Sequence, residues 1–249
     1  MNRTGLAITL AIAATVGVVF ALWPELDVKL AGVFFDAQRG GFWRGRDPLY
    51  LLARDASTWL TVLVAAPAGF ALAMKFARPC RPLLMPGRAV VLMLVTLALA
   101  PGALTFMLKE HWGRPRPGPV AEFGGIEHFR PWWDPRGDCE TNCSFIAGEP
   151  TGAFWTMAAA AVAPPQWRAL GYAAALAFGS AVGFLRIATG SHFFSDVVAA
   201  GVLTFLVIWV THGCLYRWKP TRTSDEAVEK ALQRLARPLG SLQTNSTQI

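Results

Sequence analysis

Long apolar runs without charged residues recur along this chain, and they restrict its fold more than any other feature. A helix needs roughly 20 apolar residues to cross the ~30 Å hydrocarbon core of a bilayer. Six runs approach that length, at 6–23, 58–74, 89–108, 151–165, 168–185 and 193–212. Only 16% of the residues are charged, whereas soluble domains carry roughly 25%. The sequence therefore predicts an all-α, polytopic membrane bundle of six transmembrane helices.

Two of these runs need a separate argument. Run 151–165 is short and ends at two prolines, but four consecutive alanines favour a helix there. Run 6–23 follows an arginine as in a signal peptide, yet residues 21–25 form a poor cleavage site and Trp23 suits a membrane interface. We expect both runs to be spans, the first of them retained. Residues 24–57, which mix aromatic and charged side chains, are predicted to lie along the interface.

The same pattern divides the chain into a membrane domain, residues 1–222, and a tail, residues 223–249. In the tail, Ser224 is a suitable N-cap, two acidic residues follow it, and apolar residues share one helical face until Pro238. The tail is therefore predicted to form a short amphipathic helix on the cytoplasmic side, followed by a disordered end.

The basic residues predict the orientation in the membrane. Loop 75–88 carries four basic residues and no acidic one, so the positive-inside rule assigns it to the cytoplasm. Loops 24–57, 109–150 and 186–192 then face the other side, although the first carries five basic residues of its own. We expect an inner-membrane protein with these loops in the periplasm or exterior. The net charge of +7 does not indicate a nucleic-acid partner, because the basic residues form no continuous stripe.

Charged residues gather at the ends of three predicted spans on that outer side. They are Lys109, Arg114, Arg116, Glu149, Arg186, His192 and Asp196. Cations at helix ends often only reach toward lipid headgroups, but their joint presence on the less favoured side indicates an anion site. Arginine in particular grips phosphate oxygens with two parallel hydrogen bonds.

His192 and Asp196 are four residues apart and share one helical face. A carboxylate inside a membrane helix is costly unless it has a partner. A hydrogen bond from Asp196 to one ring nitrogen would fix the tautomer of His192 and leave the other nitrogen free to attack. A purely structural pair is the alternative interpretation.

Ala147, Gly148, Glu149 and Pro150 indicate a loop that turns into a helix, because proline is favoured in the first turn. Backbone N–H groups point outward at such a start, and Gly148 lets a phosphate approach closely. Glu149 either complements the positive helix end or acts as a general acid, which requires a pKa raised by burial.

Two further cysteines in the outer loop, Cys139 and Cys143, are spaced so as to allow a local disulfide in an oxidising compartment. Their spacing relative to His111 and His128 matches no known metal-ligand pattern. We therefore expect no metal and no cofactor.

Segments 109–117 and 185–196 resemble two parts of the signature of the type 2 phosphatidic acid phosphatase family. Lys109 is followed after six residues by Arg116 and a proline, which matches the first part fully. Arg186 is followed after five residues by His192 and after three more by Asp196, which matches the third part except that leucine replaces its serine.

The middle part of that signature, Pro-Ser-Gly-His, corresponds to segment 144–150, where this chain has Ile146, Ala147, Gly148 and Glu149. Only Gly148 matches. In the family the serine hydroxyl helps to hold phosphate and the histidine protonates the departing oxygen. Ala147 has no hydroxyl, and Glu149 would have to replace the histidine as the acid.

The resemblance implies a metal-independent lipid phosphatase that works at the membrane surface. Lys109, Arg116, Arg186 and the backbone at Gly148 would bind the phosphate. His192, oriented by Asp196, would form a phosphohistidine, and Glu149 would protonate the leaving oxygen. The substrate would be a lipid phosphomonoester or pyrophosphate, as in bacterial lipid A 1-phosphatases and undecaprenyl pyrophosphate phosphatases.

Two alternatives remain open, an inactive lipid-phosphate-binding protein and a lipid phosphotransferase. The predicted partners are the lipid substrate and membrane lipids, and the sequence leaves the oligomeric state open.

Overall fold

The computed structural model describes residues 2–244, with side chains described through residue 236. Within this range the chain is helical and contains no β-strand beyond two isolated bridges. In chain order the helices are α1 (Arg3–Leu22), α2 (Glu25–Gly32), α3 (Pro48–Ala77), α4 (Gly87–His111), α5 (Gly148–Trp155), α6 (Met157–Val162), α7 (Pro165–Ala188), α8 (Phe194–Arg217) and α9 (Asp225–Thr244). The predicted all-α membrane fold is therefore confirmed.

Five of these helices, α1, α3, α4, α7 and α8, are long and apolar enough to cross a membrane. They correspond to five of the six predicted spans. The sixth predicted span, 151–165, instead forms the two short helices α5 and α6, with a break at Thr156 and an end before Pro164. Together they rise only about 22 Å. The predicted count of six full spans is thus not confirmed.

Helices α5 and α6 form the centre of the bundle rather than part of its lipid-facing wall. They pack against α3, α4, α7 and α8. Trp155 is fully buried, and its indole N–H donates to the hydroxyl of Thr96 at 2.9 Å. Gly179 on α7 gives space to the ring of Phe154, since a Cβ atom there would overlap that ring. A helix enclosed by protein on all sides need not match the bilayer thickness, which explains its short length.

The segment between α1 and α3 folds over one end of the bundle. It contains α2 and two turns of 3₁₀ helix, Ala37–Arg39 and Trp43–Arg46. Phe35 and Phe42 pack against each other and against Phe123 of the loop that follows α4. This end of the bundle also holds the start of α5 and the start of α8.

Helix α9 packs at the opposite end, against α3 and α4. Ser224 caps it as predicted by accepting a hydrogen bond from the backbone N–H of Ala227 at 3.1 Å. Lys75 and Glu229 form an ion pair of 2.9 Å between α3 and α9. The helix continues to Thr244 and does not end at Pro238 as the pattern predicts. The end that the sequence predicts to be disordered begins after Pro238, and its residues 245–249 lie outside the described residues.

Candidate functional site

His192 lies in the tight turn between α7 and α8 and is fully buried. The turn requires Gly190, whose φ of 67° is in the left-handed region where a glycine is favoured. Nδ1 of His192 lies 2.8 Å from the carbonyl oxygen of Ser144. Because a carbonyl only accepts, Nδ1 carries the proton and donates it to this bond.

The other ring nitrogen of His192, Nε2, is buried and has no hydrogen-bond partner among the described residues. Burial lowers the pKa of His192 well below its usual range, and the positive charges of Lys109, Arg186 and Arg116 lower it further. The imidazole is therefore neutral near pH 7, with a free electron pair on Nε2. The three predicted cations lie close enough to His192 to act on its charge.

Asp196, in the first turn of α8, is fully buried but does not bond to the histidine directly. Its Oδ2 is 3.9 Å from Nδ1 of His192, too far for a hydrogen bond. The same oxygen accepts from the hydroxyl of Ser144 at 2.5 Å and from the backbone N–H of Phe193 at 2.9 Å. The predicted bond from Asp196 to His192 is therefore wrong in its detail, because Ser144 lies between them.

Arg114, which the sequence places in the charged cluster but without a specific role, is fully buried and binds the remaining oxygen of Asp196. Its guanidinium also donates to Ser195 Oγ at 2.8 Å and to Asp27 Oδ2 at 2.7 Å. Asp27 lies on α2 and is itself buried. The sequence offers no signal for this pair, because both residues have other charged residues beside them and no spacing connects them.

Lys109 and Arg116 are held by a short stretch of the loop before α5. The amine of Lys109 donates to the carbonyl oxygen of Cys143 at 3.0 Å. Arg116 donates to the carbonyl of Asn142 at 2.9 Å and to its side-chain oxygen at 2.8 Å. A disulfide between Cys139 and Cys143 closes this stretch. The loop thus holds the side chains of Lys109 and Arg116 in place and leaves their remaining N–H donors available to a ligand.

Glu149 lies in the first turn of α5 and is about one-third exposed, with 32% of its side chain accessible. Its carboxylate is 3.5 Å from Nη2 of Arg186, so the two form an ion pair across the site. A Cβ atom on Gly148 would lie 3.4 Å from Cε of Lys109. The first turn of α5, with the N–H groups of Gly148 and Glu149, therefore lies directly beside Lys109 and Arg186.

A cavity of about 350 Å³ opens next to this turn, between α3, α4 and α5. Its lining includes Gly148 and Glu149 on one side and hydroxyl-bearing residues of α3 on the other, namely Ser57, Thr58 and Thr61. Within the described part of the chain, no three His, Cys, Asp or Glu side chains converge, so the structure offers no candidate metal ligands.

The arrangement combines a neutral, buried nucleophile with an anion site built from three cations and a helix start. Charge-assisted donors of this kind stabilise a phosphate and the extra negative charge of its transition state. All seven residues predicted for the site lie at this one end of the bundle. The sequence missed Asp27, Ser144 and Ser195 and gave Arg114 no specific role, although these residues hold Asp196 and His192 in place.

Comparison with known proteins identifies the family of the chain. The PAP2 superfamily profile matches residues 89–220. The chain is 30% identical over 225 residues to a lipid A 4'-phosphatase of Francisella tularensis subsp. novicida (strain U112), covering 88% of this chain and 99% of the relative. It is 38% identical over 115 residues to a lipid A 4'-phosphatase of Rhizobium leguminosarum, covering 46% of this chain and 49% of the relative. No solved structure matches significantly. The chain therefore belongs to the PAP2 superfamily, which confirms the resemblance in its sequence.

Proposed function

We propose that this phosphatase hydrolyses a phosphate monoester of a lipid A type glycolipid through a phosphohistidine on His192. The observation that carries the proposal is the buried, unpartnered Nε2 of His192, which lies within the electrostatic reach of three cations. A nucleophile with a free electron pair beside a phosphate-binding cluster is the arrangement that covalent phosphoryl transfer requires.

In the first step, Nε2 of His192 attacks phosphorus and forms an N–P bond. The bond between phosphorus and the lipid oxygen breaks, and its electron pair leaves with that oxygen. Lys109, Arg116 and the N–H groups at the start of α5 bind the phosphoryl oxygens and offset their charge. A proton from Glu149, or from water, ends on the leaving oxygen.

In the second step, water attacks the phosphohistidine and releases inorganic phosphate. The N–P bond breaks, its electrons return to Nε2, and the proton of the attacking water passes to the Glu149 carboxylate. Throughout both steps, Nδ1 of His192 keeps its proton and its hydrogen bond to the carbonyl oxygen of Ser144. That fixed bond holds the ring orientation and supports the positive charge that the ring gains on phosphorylation.

The cavity beside Glu149 supports a sugar-bearing leaving group. The hydroxyls of Ser57 and Thr61 donate to backbone carbonyls of their own helix, at 2.7 Å and 3.1 Å. Their electron pairs are then oriented to accept hydrogen bonds from hydroxyl or amide groups of a ligand. The relatives that align with this chain are lipid A 4'-phosphatases, which favours a glycolipid phosphate over phosphatidic acid or an isoprenyl pyrophosphate.

We further propose that the site faces the periplasm. The basic loop between α3 and α4 lies at the end of the bundle opposite His192, where the positive-inside rule expects cytoplasm. Cys80 in this loop is exposed. In a Cys214→Ser background, a membrane-impermeant maleimide should label Cys80 only in inverted vesicles, and labelling only in right-side-out vesicles contradicts this orientation.

The substrate is tested by measuring phosphate release from a panel of lipid phosphates in detergent with a chelator present. We expect the highest kcat/KM with the lipid A phosphate. Binding without turnover on every substrate supports an inactive lipid-binding protein. Transfer of labelled phosphate to an added acceptor lipid instead of water supports a phosphotransferase.

A further inference from the structure

We propose that Asp27, on helix α2, is a positioning residue of the active site that holds His192 in place through Arg114 and Asp196. The inference rests on the proposed function, because it assigns Asp27 to the reaction of that same site. Asp27 lies outside residues 89–220, which match the family. Helix α2 would then contribute a residue to the active site in addition to covering one end of the bundle.

Asp27 is buried, and both oxygens of its carboxylate accept hydrogen bonds. Only 1% of the residue is exposed. Its Oδ2 accepts from Arg114 at 2.7 Å and from the hydroxyl of Ser195 at 2.5 Å, while its Oδ1 accepts from the backbone N–H of Ser195 at 3.0 Å. Asp27 therefore binds both the arginine behind the site and the first turn of α8.

Arg114 connects Asp27 to Asp196, the next residue on the path to His192. Its guanidinium binds Asp27 through Nη2 and Asp196 through Nη1. The rings of Phe193 and Phe129 lie 4.6 Å and 5.6 Å from its central carbon. With its planar group packed against aromatic rings, Arg114 has little freedom to move, so its carboxylate partners fix its position.

Asp196 completes the path to His192. It accepts from the Ser144 hydroxyl at 2.5 Å, and the carbonyl oxygen of the same Ser144 holds Nδ1 of His192 at 2.8 Å. The links from Asp27 to the imidazole are therefore ion pairs and hydrogen bonds between buried groups. A shift at one end of such a network displaces the other end, because the strengths of its hydrogen bonds depend on one another.

The charge of this network argues for a role in the reaction beyond stability. Two buried carboxylates surround one guanidinium, so these three groups together carry one net negative charge when both carboxylates are ionised. Burial raises the pKa of Asp27, and the charge of Arg114 opposes this shift by favouring the ionised form. An ion pair that served only to join helices would not need the second carboxylate, which is expensive to bury. A net negative charge behind His192 instead complements the positive charge of the phosphorylated ring.

The test compares Asp27→Asn, Asp196→Asn and the double variant with the wild-type protein, measuring kcat and KM on lipid A phosphate in detergent. Asp27→Asn keeps the shape of the side chain but removes its charge. We expect kcat to fall about ten- to a hundredfold, as for outer partners of active-site ligands, with KM little changed. The double variant should be no slower than Asp196→Asn alone, because Asp27 acts through Asp196.

The matched control is Glu229→Gln, since Glu229 likewise pairs with a buried cation, Lys75, but lies at the opposite end of the bundle from His192. It should retain wild-type kcat. A wild-type kcat for Asp27→Asn overturns the proposal. So does a double variant in which the two losses multiply, since that result means Asp27 acts independently of Asp196.

If Asp27→Asn does not fold, Ser195→Ala takes its place. It deletes the hydroxyl that bridges Asp27 and Arg114 without leaving a charge unpaired. A lower kcat at unchanged KM supports the proposal, and a wild-type kcat overturns it. His192→Asn, measured in parallel, separates the two claims. Activity in His192→Asn contradicts the phosphohistidine mechanism itself, whereas an inactive His192→Asn beside a fully active Asp27→Asn contradicts only the role of Asp27.

Discussion

The carbonyl oxygen of Ser144 lies 2.8 Å from Nδ1 of His192 and orients the imidazole ring. Ser144 precedes the stretch that departs most from the family signature. The backbone of this segment holds the nucleophile, and a backbone contact does not depend on which side chains follow. We therefore expect the differences from the signature at Ala147 and Glu149 to affect the phosphate and leaving-group side of the proposed site and not the orientation of His192.

Replacing Glu149 by glutamine tests the general acid. If Glu149 protonates the leaving oxygen, Glu149→Gln should lower kcat about a hundredfold on an alkyl phosphate. An aryl phosphate with a lipid tail, whose oxygen leaves without a proton, should form the phosphohistidine at close to the wild-type rate in a single turnover, because Glu149 then acts only in the later hydrolysis. Glu122→Gln, which changes an exposed carboxylate of the loop before α5, serves as control. Equal losses in phosphohistidine formation on both substrates would remove Glu149 from proton transfer to the leaving oxygen.

The lowered pKa of His192 predicts how stability depends on pH. As pH falls through about 6.5, the usual pKa of histidine, the unfolded chain binds this proton while the folded protein does not. The free energy of unfolding should therefore decrease below that pH. We expect the melting temperature of the wild type to fall more between pH 7.5 and 5.5 than that of His192→Asn, which cannot titrate there. Parallel curves would show that His192 has an ordinary pKa.

Arg114 should be the residue on which stability depends most. Arg114→Gln leaves two buried carboxylates without their cation, which costs roughly 3–5 kcal/mol. Arg136→Gln is the matched control, because it breaks an ion pair whose arginine is 80% exposed, and such pairs contribute at most about 1 kcal/mol. Thermal unfolding in detergent measures both. Equal melting temperatures for the two variants would contradict the buried network.

The disulfide should affect substrate binding through Asn142 and Cys143, which hold Arg116 and Lys109. The double variant Cys139→Ser/Cys143→Ser loosens this stretch and should raise KM about fivefold, the cost of ~1 kcal/mol for a weakened hydrogen bond. Reductant should do the same to the wild type. The Cys80→Ser/Cys214→Ser variant removes only the free cysteines and should bind normally. No change in KM on reduction would show that the loop holds its shape unaided.

Much of this architecture could be predicted because its signals are local. Apolar runs of fixed length indicate spanning helices, and five of them are confirmed. The spacings from Lys109 to Arg116 and from Arg186 to Asp196 each lie within one short segment, so the resemblance to the family could be recognised from them. The sequence shows that run 151–165 is short, but it does not show that α5 and α6 lie inside the bundle, because hydrophobic length indicates a span only for a helix that faces lipid.

The hydrogen-bond network of Asp27, Arg114 and Asp196 could not be predicted from the sequence, for a different reason. Asp27 and Arg114 are 87 positions apart, and no periodicity relates residues that meet only through tertiary packing. The spacing of His192 and Asp196 correctly indicates that they share a helical face, but it does not reveal that Ser144 enters between them. Side-chain contacts of this kind depend on loops, whose course the sequence pattern does not determine.

The most direct test of the account is to trap the phosphohistidine. Protein mixed with lipid A labelled with ³²P at its phosphate monoester is quenched in base within one turnover, because a phosphoramidate survives base and breaks down in acid. The account predicts an acid-labile label on the peptide that contains His192, and no label in His192→Asn, which keeps an amide to bond with the Ser144 carbonyl but lacks Nε2. Phosphate release by His192→Asn at the wild-type rate, or turnover by the wild type with no label on His192 at any time point, would contradict it.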